Sequence, residues 1–266
     1  MFSCSQLESY RGICIGIILK RSLNGKFPTA RHPNATSPPG AQSIFEFGKR
    51  SAILLAMNHV VLLGDSIFDN SVYVNGSPDV ITHLNSILPQ DWKATLLAVD
   101  GSISTDVIGQ IRKIPESATH LVVSAGGNDG LSRADILQRP TTSVASAVEL
   151  LATIRAQFQE KYRRMLNSLL ALNKPLAVCT VYDPHFPDPL MQRLTTTALN
   201  LFNDCILREA ITHGLPVIDL RLICTEPEDY ANEIEPGIAG GRKIAEAILR
   251  LVQHHDFSGG RTVIYR

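Results

Sequence analysis

From Asn58 onward, short runs of β-branched and apolar residues alternate with longer stretches in which apolar positions return every three or four residues. Each run is closed by Gly, Asp, Asn or Pro, residues that interrupt regular structure. The runs at 59–63, 94–99, 120–124, 176–181 and 216–220 predict strands. Between them, 78–88, 104–113, 143–172, 189–213 and 238–255 predict helices. The 143–172 stretch is long: Val144, Leu151, Ile154, Phe158, Tyr162, Met165 and Leu169 keep a helical spacing, and Pro175 lies just beyond its end. Strands alternating with helices build βαβ units around a parallel sheet, so the pattern predicts one doubly wound α/β domain with five parallel strands.

The first 56 residues carry no such pattern. They run through stretches such as 28–40, rich in Ser, Asn, Pro and Gly, and are expected to be a disordered extension. The apolar run Ile13 to Leu19 is far short of the roughly 20 residues that cross a bilayer. Either Met57, directly before the first good strand, is the true start, or the acid-poor segment serves in targeting. Charge divides at the same place. The chain has 25 basic and 25 acidic residues; seven basic and two acidic ones fall in 1–56, so a basic extension precedes an acidic body. An acidic body argues against nucleic acid or an anionic membrane as partner. Cys179, Cys205 and Cys224 form no CxxC pair, so neither a disulfide framework nor zinc is expected, and the body reads as cytoplasmic.

In an open parallel sheet, ligands collect outside the carboxyl ends of the strands. There the chain places Gly64-Asp65-Ser66-Ile67-Phe68-Asp69-Asn70, then Asp100-Gly101-Ser102, Gly126-Gly127-Asn128-Asp129 and Tyr182-Asp183-Pro184-His185. Taken singly, Gly-Asp-Ser could cap a helix and Gly-Gly-Asn-Asp could be a tight turn. Together they bring polar, small and nucleophilic groups to one edge.

This combination resembles the SGNH, or GDSL-type, hydrolase superfamily of esterases and lipases. The likeness rests on Gly64-Asp65-Ser66 after the first strand, Gly101 after the second and Gly126-x-Asn128-Asp129 after the third, and it extends over about 58–255. It implies a flavodoxin-like three-layer αβα sandwich in which Ser66 is the nucleophile and forms an acyl-enzyme with a small or medium acyl or acetyl ester. The Ser66 N–H, the Gly101 N–H and the Asn128 side-chain amide would stabilise the oxyanion. The chemistry suits these residue types, because a serine needs a base and a tetrahedral oxyanion needs preorganised donors. No G-x-S-x-G elbow surrounds Ser66, which separates the chain from α/β-hydrolases.

The base departs from the pattern. Members of the superfamily usually carry Asp-x-x-His-Pro before the last helix, and here that register reads Asn232-x-x-Glu235-Pro236. Three readings stay open. Glu235 is the base, with burial raising a pKa that otherwise lies near 4.3. Alternatively His185, which alone among the histidines follows a strand at this edge and has Asp183 two residues before it, replaces the missing one. In the third reading neither acts, and the fold binds a ligand without turnover. No cofactor is implied: G-x-G-x-x-G and Walker sequences are missing. No metal is expected either. The acidic group Glu226, Glu228, Asp229, Glu233 and Glu235 reads as a solvated loop, and the resemblance assigns Asp65, Asp69 and Asp129 no metal. The sequence is silent on oligomeric state.

Overall fold

The computed structural model describes residues 57–266, which form one compact unit; the expectations about 1–56 lie outside the described residues. Six parallel strands, β1 (Asn58–Gly64), β2 (Trp92–Leu96), β3 (His120–Ser124), β4 (Leu176–Cys179), β5 (Val217–Ile218) and β6 (Ile264–Tyr265), lie in the order β2-β1-β3-β4-β5-β6. Helices α1 (Val80–Ile87) and α6 (Ile238–His254) pack together, while α2 (Ser104–Ile111) packs on α4 (Val144–Leu170) and α4 on α5 (Pro189–Thr212). A short helix, α3 (Gly127–Leu131), follows β3. The outcome is the expected α/β sandwich. Val60–Leu63 of β1, Leu121–Val123 of β3 and Leu176–Cys179 of β4 are buried, as a parallel sheet covered on both faces requires.

The differences from the pattern have local causes. The sheet has six strands rather than five, because Ile264–Tyr265 adds an edge strand too short to show a period. β2 begins two residues early and ends at Leu96: the N–H groups of Leu97 and Ala98 both turn to the Leu62 carbonyl (2.8 and 3.0 Å). Helix α4 is capped by Ser143; Ile154 is the first of its residues packed against the core and Phe158 the first buried one, whereas Val144 is 82% exposed. The apolar spacing therefore runs past the part of the helix that covers the sheet.

The chain goes from β1 to one side of the sheet for β2 and to the other side for β3. That reversal opens a crevice at the carboxyl ends of β1 and β3, and the segments after these two strands contain Ser66 and Asn128. β1 approaches β3 closely at this edge because residue 64 is glycine. Its φ is +130°, and a Cβ there would lie 1.8 Å from the Ser124 carbonyl oxygen. Gly64→Ala should cost about 3 kcal/mol or more through combined backbone strain and overlap, measured as a lowered thermal midpoint.

Candidate active site

Ser66 sits in a turn after β1 and is 7% exposed. The turn closes when the N–H groups of Phe68 and Asp69 donate to the Asp65 carbonyl (3.1 and 3.1 Å). The Asp65 carboxylate accepts from the Ile67 N–H at 3.2 Å, so it braces this turn and caps no helix. Burial pushes the Asp65 carboxyl up to about 7, the Ile67 N–H opposes this, and the charges of Asp129 and Asp100 add to it. Below the turn, Gln110 of α2 brackets Gly64: its Oε1 accepts the Gly64 N–H (2.8 Å) and its Nε2 donates to the Gly64 carbonyl (2.8 Å). The same Nε2 reaches the Ser102 hydroxyl at 3.4 Å. One buried amide thus ties the serine's strand to the loop after β2.

That loop is a turn closed from the Ser102 N–H to the Val99 carbonyl (3.1 Å), with Gly101 at φ +77°. The Val99 N–H donates to the Gly64 carbonyl (3.1 Å), and one Asn128 amide hydrogen goes to the Ser102 carbonyl (3.1 Å). Gly101 and Asn128 are therefore held on one hydrogen-bonded frame with the end of β1. The neighbouring Asp129 points away into its own contact, accepting from the Ser104 N–H (2.8 Å) and hydroxyl (2.9 Å) at the start of α2.

Glu235 arrives from the opposite side. Asn232 Oδ1 accepts from the N–H groups of Ile234 and Glu235 (3.0 Å each), so in the register where the superfamily has Asp this residue folds the loop. The loop is pinned by an antiparallel bridge between Tyr230 and Pro236 and by the bond from the Ala231 N–H to the Glu235 carbonyl (2.9 Å). Asn70, fully buried, donates to the Pro236 carbonyl (3.0 Å) and accepts the Val80 N–H (3.0 Å). The serine's own segment thus grips the loop that carries Glu235.

The Glu235 carboxyl is 7% exposed, and its Oε2 is buried without a hydrogen-bond partner. Burial pushes it up to about 8; the nearby Ser66 hydroxyl pulls the other way, and the charges of Asp65 and Asp100 reinforce the rise. A carboxyl with this pKa changes charge near neutral pH.

The expectation of a solvated acidic loop fails for two of its five members. Asp229, 1% exposed, pairs with Lys243 at 2.7 Å and accepts from the N–H groups of Thr225 (3.0 Å) and Glu226 (3.1 Å), and Glu235 is buried at Ser66. His185 has other company: its ring is exposed and stacked on Tyr230 (5.5 Å between centroids), and its N–H donates to the Glu233 carbonyl (2.7 Å). The Asp183 carboxyl feels mainly its burial and then Arg221. Gln110 and Asn70 escaped the sequence reading. A polar residue on the buried face of α2 was a usable signal for Gln110, whereas nothing local pairs Asn70 with a carbonyl 166 residues away.

Residues 62–238 match the GDSL-like Lipase/Acylhydrolase family. No curated protein matches the chain. Among solved structures, the chain is similar to the lipase Lip_vut3 from a goat rumen metagenome, with TM-score 0.58, 16% identity, and coverage of 75% of this chain and 99% of that one. It is also similar to a lipolytic protein of the G-D-S-L family from Veillonella parvula (0.54, 16%, 74% and 99%) and to phospholipase A1 from Streptomyces albidoflavus (0.52, 17%, 74% and 98%). At these identities the structures speak for the fold. With the family match covering most of the chain and the sheet carrying its serine at the expected edge, the protein belongs to the GDSL-like lipase/acylhydrolase family and is an ester hydrolase.

Proposed function

We propose that the protein hydrolyses small or medium acyl esters through an acyl-enzyme on Ser66, with Glu235 as its base. The observation that carries this reading is the buried Glu235 carboxyl beside Ser66, 7% exposed and with its pKa raised to about 8 mainly by burial. In the first half-reaction the Glu235 carboxylate takes the Ser66 proton while Oγ bonds to the ester carbonyl carbon. The oxyanion is held by the N–H groups of Ser66 and Gly101 and by the second amide hydrogen of Asn128, the first being engaged with Ser102. Collapse expels the alkoxide, which receives the proton from Glu235, and the acyl group remains on Oγ. Water then gives a proton to the same carboxylate and attacks the acyl carbon, and as the Oγ–acyl bond breaks Glu235 returns that proton to Ser66 Oγ, releasing the acid and restoring serine and carboxylate. A binding-only role presupposes a serine with no base beside it, and the position of Glu235 weighs against that.

Burial does for this glutamate what intrinsic basicity does for histidine. A carboxylate at its ordinary pKa is too weak a base at neutral pH, whereas one raised to about 8 approaches the strength that proton transfer needs. The low-dielectric surroundings also strengthen each donor aimed at the oxyanion.

Ser66→Ala should abolish hydrolysis of a chromogenic short-chain ester, a loss of at least about 10³-fold, and Asn128→Ala should lower kcat about 10²–10³-fold. Retention of activity by Ser66→Ala would remove the mechanism.

Since the ionised base is the working form, kcat/KM should rise with pH through a midpoint near 8. Glu235→Gln should eliminate the chemical step while His185→Ala leaves it; the reverse pattern assigns the base to His185.

The same ionisation sets a stability trend of opposite sense. The unfolded carboxyl ionises near 4.5 and the folded one near 8, so across this interval the unfolded chain binds fewer protons and stability falls as pH rises. Glu235→Gln should therefore melt several degrees higher than the parent at pH 7.5 and at nearly the same temperature at pH 4. Equal midpoints at both pH values would show that burial of this carboxyl carries no cost.

A further inference from the structure

The turn Val99–Ser102 is fastened at one end by Gly64 and at the other by Gln110 and Asn128. Asp100 lies between these anchors, immediately before Gly101, and is held by a different group of residues. Its N–H donates to the Asp69 carboxylate (2.9 Å) and its own carboxylate accepts the Tyr73 hydroxyl (3.0 Å). Asp69 and Tyr73 both belong to the segment that leaves the Ser66 turn, three and seven residues beyond the serine. Neither contact is needed to build the sheet, which is already covered below. Tyr73 is half-buried, and its ring forms part of the wall of an open cavity of about 850 Å³ that also borders Tyr230, Ala231 and the start of α6.

We infer that Asp69 and Tyr73 are positioning residues that clamp Asp100 from both sides and thereby aim the Gly101 N–H at the reacting carbonyl oxygen. This rests on the mechanism proposed above for Ser66 and Gly101. Physically, residue 101 is a glycine at positive φ, and a glycine leaves the peptide before it weakly constrained unless neighbouring groups hold it. An oxyanion donor contributes only when it is preorganised, since a donor that must rotate into place during the reaction loses much of its advantage. The Asp69 contact fixes the peptide on the amino side of Asp100, and the Tyr73 contact fixes its side chain. Nucleophile and oxyanion donor then move as one body, because the same span Ser66–Tyr73 that presents the serine also grips the loop carrying Gly101. The clamp acts on the transition state more than on substrate binding, so its loss should appear in kcat.

The test is steady-state kinetics of the full chain on 4-nitrophenyl acetate with Tyr73→Phe, Asp69→Ala, Asp69→Asn and Ser66→Ala. Tyr73→Phe keeps the ring in the cavity wall and deletes only the hydroxyl. It should lower kcat about three- to tenfold, with KM within about twofold and the melting midpoint within about 2 °C of the parent. Asp69→Ala should lower kcat about 30-fold or more, and Asp69→Asn, whose side-chain oxygen still accepts the Asp100 N–H, should recover most of that loss. The inference is overturned if Tyr73→Phe leaves kcat unchanged, if the loss falls on KM alone, or if Asp69→Asn is as impaired as Asp69→Ala. Should Asp69→Ala fail to fold, Tyr73→Phe still decides the matter. Full activity in Ser66→Ala would overturn the underlying mechanism, a result distinct from an active, Ser66-dependent enzyme indifferent to the clamp.

Discussion

The close approach of Gly64 to the Ser124 carbonyl shapes the edge of the sheet from which Ser66 follows. β1 and β3 are neighbours throughout, but at their carboxyl ends the two backbones come so close that no side chain fits between them. Gln110 then saturates both polar groups of Gly64, so the end of the strand is locked in position and hydrogen-bonded without water. Ser66, two residues on, inherits this rigidity, as does the loop carrying Gly101, because that loop hangs from the same carbonyl and the same glutamine. A site on strand ends is more exact than one on free loops, and here the precision traces to one missing methyl group.

Against this rigid edge the molecule accepts an electrostatic burden. Asp65 and Glu235 are buried carboxyls a few groups apart, and each raises the pKa of the other or of a shared neighbour. Among the described residues neither has an arginine or lysine ion pair, in contrast to Asp229 with Lys243 or Glu209 with Arg163. Asp229 and Glu209 are each given a cation, whereas Glu235 is buried beside Ser66 with the charges of Asp65 and Asp100 acting on it.

Much of this could be read from residue order alone. Alternating strand and helix runs disclose the sandwich, the rule that ligands collect at strand ends selects the segments after the first four strands, and the resemblance to the SGNH superfamily singles out Ser66, Gly101 and Asn128 within them. The substitution of Glu235 for a histidine is equally visible. What the pattern hides is whatever depends on long-range closure. Asn70 meets Pro236 across 166 residues, the short edge strand at Ile264–Tyr265 has no period to detect, and Asp229 reads as one more solvent-facing acid until Lys243 is seen beside it. Helical spacing overstates the core for a related reason. Periodicity records that one face is apolar, and only packing decides that Phe158 is covered while Val144 is not.

Helix α4 bears on the molecule's motions. At 27 residues it is about 40 Å long, more than twice the roughly 17 Å of a five-residue strand. Its amino-terminal half lies past the layer it serves, with few buried side chains to hold it. Isolated helix of that length is marginal in water, so these turns belong to the low end of the protein's local-opening free energies, while the half anchored by Tyr162 and Met165 opens only when the whole domain does. Amide exchange along this single helix is therefore expected to grade from fast at Val144 to slow at Leu169.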